Sequence, residues 1–250
     1  MYLARAWTSY PRSHALRGNH SQTVVATAWL LFWAMVPITN VAAQEEPKPP
    51  AGPRASGRGP ALPPGQWVDL LKSVELKRRG AVGKWQVRDK ELAVSAVDAS
   101  ARLPIPAAPR GAYDVKLEFT RTDGDGTVGV ILPVGTRQCL VAVNFAGGPS
   151  GIDMIDGRRA NENTSAFPGA LAIDRRYTLE IAVHADQEEA SVTANLDGRP
   201  LVFYRGPTAS LSLHKEWAIP SRSGLGLVAQ ADVVFHRLEV RTKAAKPAAE

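Results

Sequence analysis

The chain has 250 residues, room for one large domain or two small ones, and with 44% hydrophobic and 22% charged residues it is too polar for a multi-span membrane protein. A single cysteine excludes an intrachain disulfide, a cysteine-rich zinc cluster and a CxxC redox pair. The formal charge of +6 falls to +3 without Arg5, Arg12 and Arg17, which precede the first acidic residue, Glu45, so the charge offers little basis for a nucleic-acid partner.

From Gly18 to Gln44 there is no Lys, Arg, Asp or Glu, and the apolar run Val24 to Val36 lies inside that stretch. Basic residues, a short apolar run, a breaker at Pro37 and the small tripeptide Val41-Ala42-Ala43 form the order of a secretory signal peptide, cleaved after Ala43. An apolar run needs about 20 residues to span a bilayer. Retained instead of cleaved, this leader is the one membrane contact the sequence offers. Residues 44–66 are dominated by Pro and Gly without apolar periodicity, and read as a disordered linker. Residues 243–250 read as a disordered tail. The expected order is therefore a signal peptide at 1–43, the linker, a folded domain at 67–242, and the tail. The destination is the periplasm, the cell envelope or the medium.

Within 67–242 the main signal is alternation. Tyr113 to Thr120, Tyr177 to His184 and Ala190 to Asp197 each place apolar residues at every second position, the pattern of a half-buried antiparallel strand. Trp85-Gln86-Val87 and Leu92-Ala93-Val94 flank a turn at Asp89-Lys90-Glu91. Val128–Leu132 and Cys139–Phe145 flank Pro133 to Thr136, and Asp197-Gly198 closes a hairpin onto Leu201 to Tyr204. Cys139, Val141 and Val143 on one face and Leu140 and Ala142 on the other suit a central strand, with the Cys139 thiol buried and inert. Leu225–Val228 and Val233–Val240 close the domain. Only Leu70–Leu76 and Leu211–Trp217 have room for a helical turn. About ten short strands at near-regular spacing, with no internal repeat, predict an all-β antiparallel sandwich in one domain.

Asn144 to Thr164 is the most polar loop region, rich in the amides, carboxylates and guanidinium groups that hydrogen-bond sugar hydroxyls; a solvated loop has the same composition. The segment Leu211 to Trp217 adds an imidazole and an aromatic face, although packing in the core is the usual job of tryptophan. Together these give a carbohydrate-binding set of Asn144, Asp153, Arg158, Asn161, His214 and Trp217, with Trp217 as the stacking platform. Asp123-Gly124-Asp125-Gly126 has the look of half a calcium loop, but the distal ligands are missing and turn chemistry accounts for it. His184, His214 and His236 are scattered. No metal and no cofactor is expected, and no G-x-S-x-G elbow exists. Residues 67–243 hold 23 basic and 21 acidic side chains, a balance that again speaks against nucleic acid.

Several segments together resemble a known family. Gly83–Asp89 with Leu92–Ser95, Arg175–Ile181 with Ala194–Pro200, and Gly224–Leu227 with Val234–Val240 are similar to the hairpins and closing strands of concanavalin A-like jelly rolls. The branch they resemble is the DUF1080, or 3-keto-disaccharide hydrolase, group, in a form common among planctomycete secreted proteins. The resemblance implies a jelly-roll fold and a saccharide partner. Laminarinase-type relatives carry an E-x-D-x-E strand, whose spacing of two sets its carboxylates on one face. That motif is absent here, and Asp153 and Asp156 have odd spacing. Three readings stay open: a secreted lectin-like carbohydrate-binding domain without its own catalysis, a glycoside hydrolase of the 3-keto-disaccharide type, and a structural or interaction module of the envelope. The catalytic residues of the second are not legible.

Overall fold

The computed structural model describes residues 62–243 apart from 97, 98 and 187. The leader, most of the linker and the tail after residue 243 lie outside the described residues. Thirteen strands follow in order, beginning with β1 (Val68–Asp69), β2 (Lys84–Arg88), β3 (Glu91–Ser95), β4 (Ala101–Ile105) and β5 (Tyr113–Asp123). Next come β6 (Val128–Val134), β7 (Arg137–Val143), β8 (Gly151–Asp153), β9 (Arg176–Ala185) and β10 (Glu189–Leu196). The last are β11 (Arg199–Pro207), β12 (Leu225–Ala229) and β13 (Asp232–Thr242). Four single 3-10 turns, at 71–73, 145–147, 208–210 and 215–217, are the helical content of the described residues.

The strands form two antiparallel sheets. One has the order β11-β10-β9-β5-β13-β3-β2, with β1 paired to β13; the other is β4-β12-β6-β7-β8. This is the all-β antiparallel sandwich that the alternation predicts, in the jelly-roll form that the resemblance implies. Turn chemistry sets the hairpins. Asp89-Lys90, Asp156-Gly157 and Asp197-Gly198 all have positive φ at both positions, the requirement of a two-residue turn between twisted strands.

One face of each sheet supplies the main core. Leu117, Phe119, Leu179, Ile181 and Val192 meet Leu103, Val130, Leu132, Val141 and Leu227 across the sandwich. Trp85, Phe235, Phe119 and Tyr177 follow one another at centroid spacings of 6.0, 6.5 and 5.8 Å. Cys139 is wholly enclosed. In β13 the register with β5 steps from Phe235↔Phe119 to Arg237↔Glu118, leaving His236 as the extra residue of a bulge. The bulge re-phases the strand, so Phe235, Leu238 and Val240 all face inward despite their uneven spacing.

Strands β4, β8 and β1 are not signalled by alternation. β4 is an edge strand containing Pro104, which an edge tolerates because one side of its backbone needs no partner. Pro133, in β6, lies past the stretch paired with β12.

The five-stranded sheet is apolar on both faces: all seven residues of β6 are buried, as are six of the seven in β7. Its outward face carries Ile131, Leu140, Ala142 and Val228. Trp217 and Ile219 from the segment after β11, with Phe145 and Ala160, cover that face as a second, smaller cluster. A doubly apolar sheet requires a second cover, and here the cover is loop rather than helix.

Candidate functional site

The cover over the five-stranded sheet determines what becomes of the predicted sugar site. Trp217, expected in a solvent-facing loop, has no exposed surface. Its ring packs on Ile131, Leu140 and Val228, and its indole Nε1 donates to Asp153 Oδ2 at 3.1 Å. A ring enclosed on every side cannot stack on a sugar, so the platform assigned to Trp217 is corrected to a core position. Asp153 is equally enclosed. β8 sets it opposite Leu140 on the outward sheet face, where its other oxygen accepts from Arg159 Nε at 2.6 Å.

The rest of the set separates. Asn144, at the end of β7 with φ +54°, is fully buried. Its amide donates to Asp125 Oδ1 (3.0 Å) and the Gly126 carbonyl (3.3 Å), and its oxygen accepts from the Leu171 N–H. It ties two loops together and is not open to a ligand. Arg158 and Asn161 are exposed on the loop after β8. His214 is half-buried, and its Nδ1 accepts from the Glu216 N–H at 3.4 Å, capping the turn 215–217. Asn144, Asp153 and Trp217 are thus structural, and none of the remaining three lines any of the cavities described below.

Around Asp153 the chain builds a polar network. Arg159 bridges Asp153 to Glu216 Oε2, 3.5 Å away, and lies over the Phe145 ring at 4.9 Å. Glu216 Oε1 accepts from Ser100 Oγ (2.5 Å) and Gln230 Nε2 (3.0 Å), while Arg102 Nη1 donates to the Glu216 carbonyl (2.8 Å). Two carboxylates therefore share one guanidinium, but both oxygens of Asp153 are committed and enclosed. A retaining or inverting glycosidase needs two carboxyls with free access to the sugar's anomeric carbon or to water. This network instead staples the 211–219 segment to β4, β8 and the loop after it.

The acidic turn between β5 and β6 is also structural. Arg121 Nη1 donates to Asp125 Oδ1 at 2.7 Å, and Arg121 Nη2 donates to the Leu171 carbonyl. Hydrogen bonds from Asn144 and Arg121 hold the Asp125 carboxyl below its ordinary range. Among the described residues no three carboxylate, imidazole or thiol groups converge as a metal site would need.

An open site lies on the other sheet. On the outward face of the eight-stranded sheet, the register pairs Thr193 with Phe203, and Ser191 with both His184 and Arg205. Phe203, on the edge strand β11, is 71% exposed, the most exposed large apolar side chain of the described domain. It borders a groove of about 540 Å³ lined also by His184, Asp186, Glu189, Ser191, Thr193 and Arg205. Backbone N–H groups of Glu189 (2.7 Å) and Glu188 (2.9 Å) donate to the Asp186 carboxylate and draw its pKa below the usual range, so it is anionic at neutral pH. No side-chain hydrogen bond within the described domain occupies Ser191, Thr193 or Arg205, so their donors and acceptors are available to a ligand. Sequence reasoning missed this face because Leu201 to Tyr204 reads as a plain apolar strand. The available signal was Phe203 alternating with the inward Val202 and Tyr204.

No protein-family model matches the chain, and no curated protein matches it. Among solved structures, peanut lectin with a nine-residue peptide is similar over 70% of this chain and 96% of its own, at 10% identity and a TM-score of 0.46. Lectin II from Ulex europaeus is similar over 72% of this chain and 100% of its own, at 11% identity and a TM-score of 0.45. The catalytic domain of a glycoside hydrolase family 131 protein from Coprinopsis cinerea is similar over 64% and 75%, at 11% identity and a TM-score of 0.34. At such identities and scores, none of them bears on what this chain binds.

Proposed function

We propose that this is an exported, lectin-like domain that binds glycans without turning them over, and that the outward face of the eight-stranded sheet at Phe203 is the binding surface. The observation that carries the proposal is the exposed Phe203 ring beside uncommitted hydroxyl and guanidinium groups in an open groove. An aromatic face packs on the C–H face of a pyranose, while Ser191, Thr193, Arg205 and the Asp186 carboxylate match the donors and acceptors of its hydroxyls. An open, flat site suits one or two residues of a chain and modest affinity. Isothermal titration of the full chain with soluble neutral oligosaccharides tests it. Phe203→Ala should weaken binding by about 1–2 kcal/mol, roughly five- to thirtyfold, with little change in the unfolding midpoint. Unchanged affinity in that variant rejects this face as the site.

A second reading, glycoside processing of the 3-keto-disaccharide hydrolase type, draws support from the DUF1080-like segments and from Glu216 and His214, each about a quarter exposed beside Arg159. It requires the full chain to turn over a 3-keto-glucoside and Glu216→Gln to abolish that turnover. The proposed function expects neither.

A further inference from the structure

The cover segment leaves a crevice on each side of itself. On one side a crevice of about 550 Å³ is bounded by Arg78, Arg79, Pro104, Pro106, Ile219 and Pro220, among others. On the other, a crevice of about 480 Å³ is bounded by Arg137, Gln138, Ser212, Ile219 and Arg222, among others. Ile219 lines both. No Asp or Glu and no aromatic residue lines either one. None of the four arginines has a side-chain hydrogen bond or ion pair with any described residue. In a domain whose charge is nearly balanced, four uncompensated guanidinium groups about one segment are a local excess, while six of the other twelve described arginines are ion-paired.

The walls are built to hold these positions. Gln138 Nε2 donates to the carbonyls of Ser221 (3.0 Å) and Gly224 (2.9 Å), fixing the loop that carries Arg222 against β7. The turn that carries Arg78 and Arg79 is closed by hydrogen bonds from Arg78 N–H to Glu75 and from Ala81 N–H to Arg78. It ends at Gly80, whose φ is +91° and where a Cβ would stand 2.3 Å from Pro220 Cδ. Only glycine allows the turn to close this tightly on the cover segment.

We propose that these two crevices form an oxyanion-binding site for an acidic polysaccharide, one bearing carboxylate or sulfate groups, draped over the Ile219–Arg222 segment. A guanidinium fork pairs with a carboxylate or sulfate through two parallel hydrogen bonds, which a lysine cannot reproduce. Proline and isoleucine side chains on the crevice walls offer apolar contact to the C–H faces of sugar rings. The lack of aromatic lining disfavours single-stranded nucleic acid, whose affinity depends on base stacking. The site is distinct from the Phe203 groove, and neither proposal needs the other.

The test is binding of the full chain to polygalacturonate, to dextran sulfate and to neutral dextran at 0.15 M salt. Binding to one or both acidic polymers at least tenfold tighter than to dextran is expected, and the polymer preferred identifies the oxyanion. Arg78→Ala/Arg79→Ala and Arg137→Ala/Arg222→Ala should each lower the affinity at least tenfold, and the corresponding Lys pairs should recover only part of it. Phe203→Ala should leave the preference over dextran unchanged. Arg88→Ala/Lys90→Ala, which removes equal charge from the β2–β3 hairpin, should change the affinity less than twofold. An equal loss in that control would show diffuse attraction and overturn the proposal, as would failure to bind either acidic polymer. Tighter binding of single-stranded DNA than of both polymers, lost in the same arginine variants, would overturn the choice of polysaccharide.

Discussion

Replacing Trp217 separates a core role from a surface role most sharply. The ring is fully enclosed by Ile131, Leu140, Val228 and Ile219, and its N–H satisfies one oxygen of a carboxylate that is itself fully buried. Trp217→Ala deletes the largest enclosed side chain of the domain and opens a cavity, a change that costs about 3–5 kcal/mol. A domain of this size loses about 2–4 °C of melting temperature per kcal/mol, so the expected fall is about 6–20 °C. Trp217→Phe keeps most of the packing but leaves Asp153 Oδ2 without its donor, which costs about 1–3 kcal/mol. Combining Trp217→Phe with Asp153→Asn isolates the hydrogen bond, because the two changes couple only through that contact and the packing around it. Urea unfolding of the full-length variants, followed by tryptophan fluorescence and circular dichroism, measures all three. If Trp217→Ala unfolds within about 0.5 kcal/mol of the parent while glycan binding falls, the ring is a surface platform and the buried assignment is wrong.

Three further outcomes follow from the same physics. Burial alone would raise the Asp114 pKa, but hydrogen bonds and charge from Lys243 (2.7 Å) and Arg241 (2.6 Å) reverse this and hold the carboxyl below its ordinary value. Its stabilisation is therefore complete above the unfolded carboxylate value of about 3.9 and is lost as pH falls through the lower folded value; Asp114→Asn should cost roughly 1 kcal/mol near neutrality, a difference that shrinks in acid unfolding below about pH 4. Burial pushes the Cys139 thiol up to about 12, so a disulfide reagent at pH 8 should leave the native protein unlabelled and react fully once it is unfolded. Expressed in a secreting bacterial host, the protein should have an amino terminus at or near Gln44, as Edman sequencing or intact mass will show; a retained leader would overturn the cleavage and leave the segment as a membrane anchor.

The sandwich was legible wherever one face of a strand meets solvent. β5, β9 and β10 alternate cleanly because their outward residues, such as Lys116, Glu180 and Thr193, lie on the open face of the eight-stranded sheet. β4 and β8 were not legible, since Ala101–Ile105 contains a proline and Gly151–Asp153 is too short to show a period. The misplaced sugar site has one cause. Loops usually run over the surface, and that rule sets Trp217 in solvent. The contrary signal lay elsewhere in the chain, in Leu140 and Ala142 on the second face of a strand already apolar on its first. Those side chains demand a cover, and Trp217 and Ile219 are among the large apolar residues left without a strand. Asp153, Arg159 and Glu216 then follow as the polar ring that closes the cover down. Nothing local in the sequence brings residues 153 and 216 together, because their meeting depends on where β8 ends and on how the chain returns after β11.

The cover also links stability to the proposed oxyanion site. Trp217 and Ile219 bury one side of the 211–222 segment, and the same segment presents Ile219 to both crevices and Arg222 to one. An anchor under a binding loop limits the number of conformations that a ligand must select among, and affinity falls in proportion to the competent fraction. Loosening the anchor without touching any of the four crevice arginines should therefore weaken binding. Arg159→Ala is the suitable change: it breaks the bridge from Asp153 to Glu216, and Arg159 lines neither crevice. Its effect on acidic-polymer affinity should track the loss of protection from hydrogen exchange at the Trp217 and Ala218 amides, whose acceptors are the His214 and Lys215 carbonyls. Full affinity in a variant whose cover exchanges freely would show that the arginines act as independent charges, held in place by their own turns rather than by the segment between them.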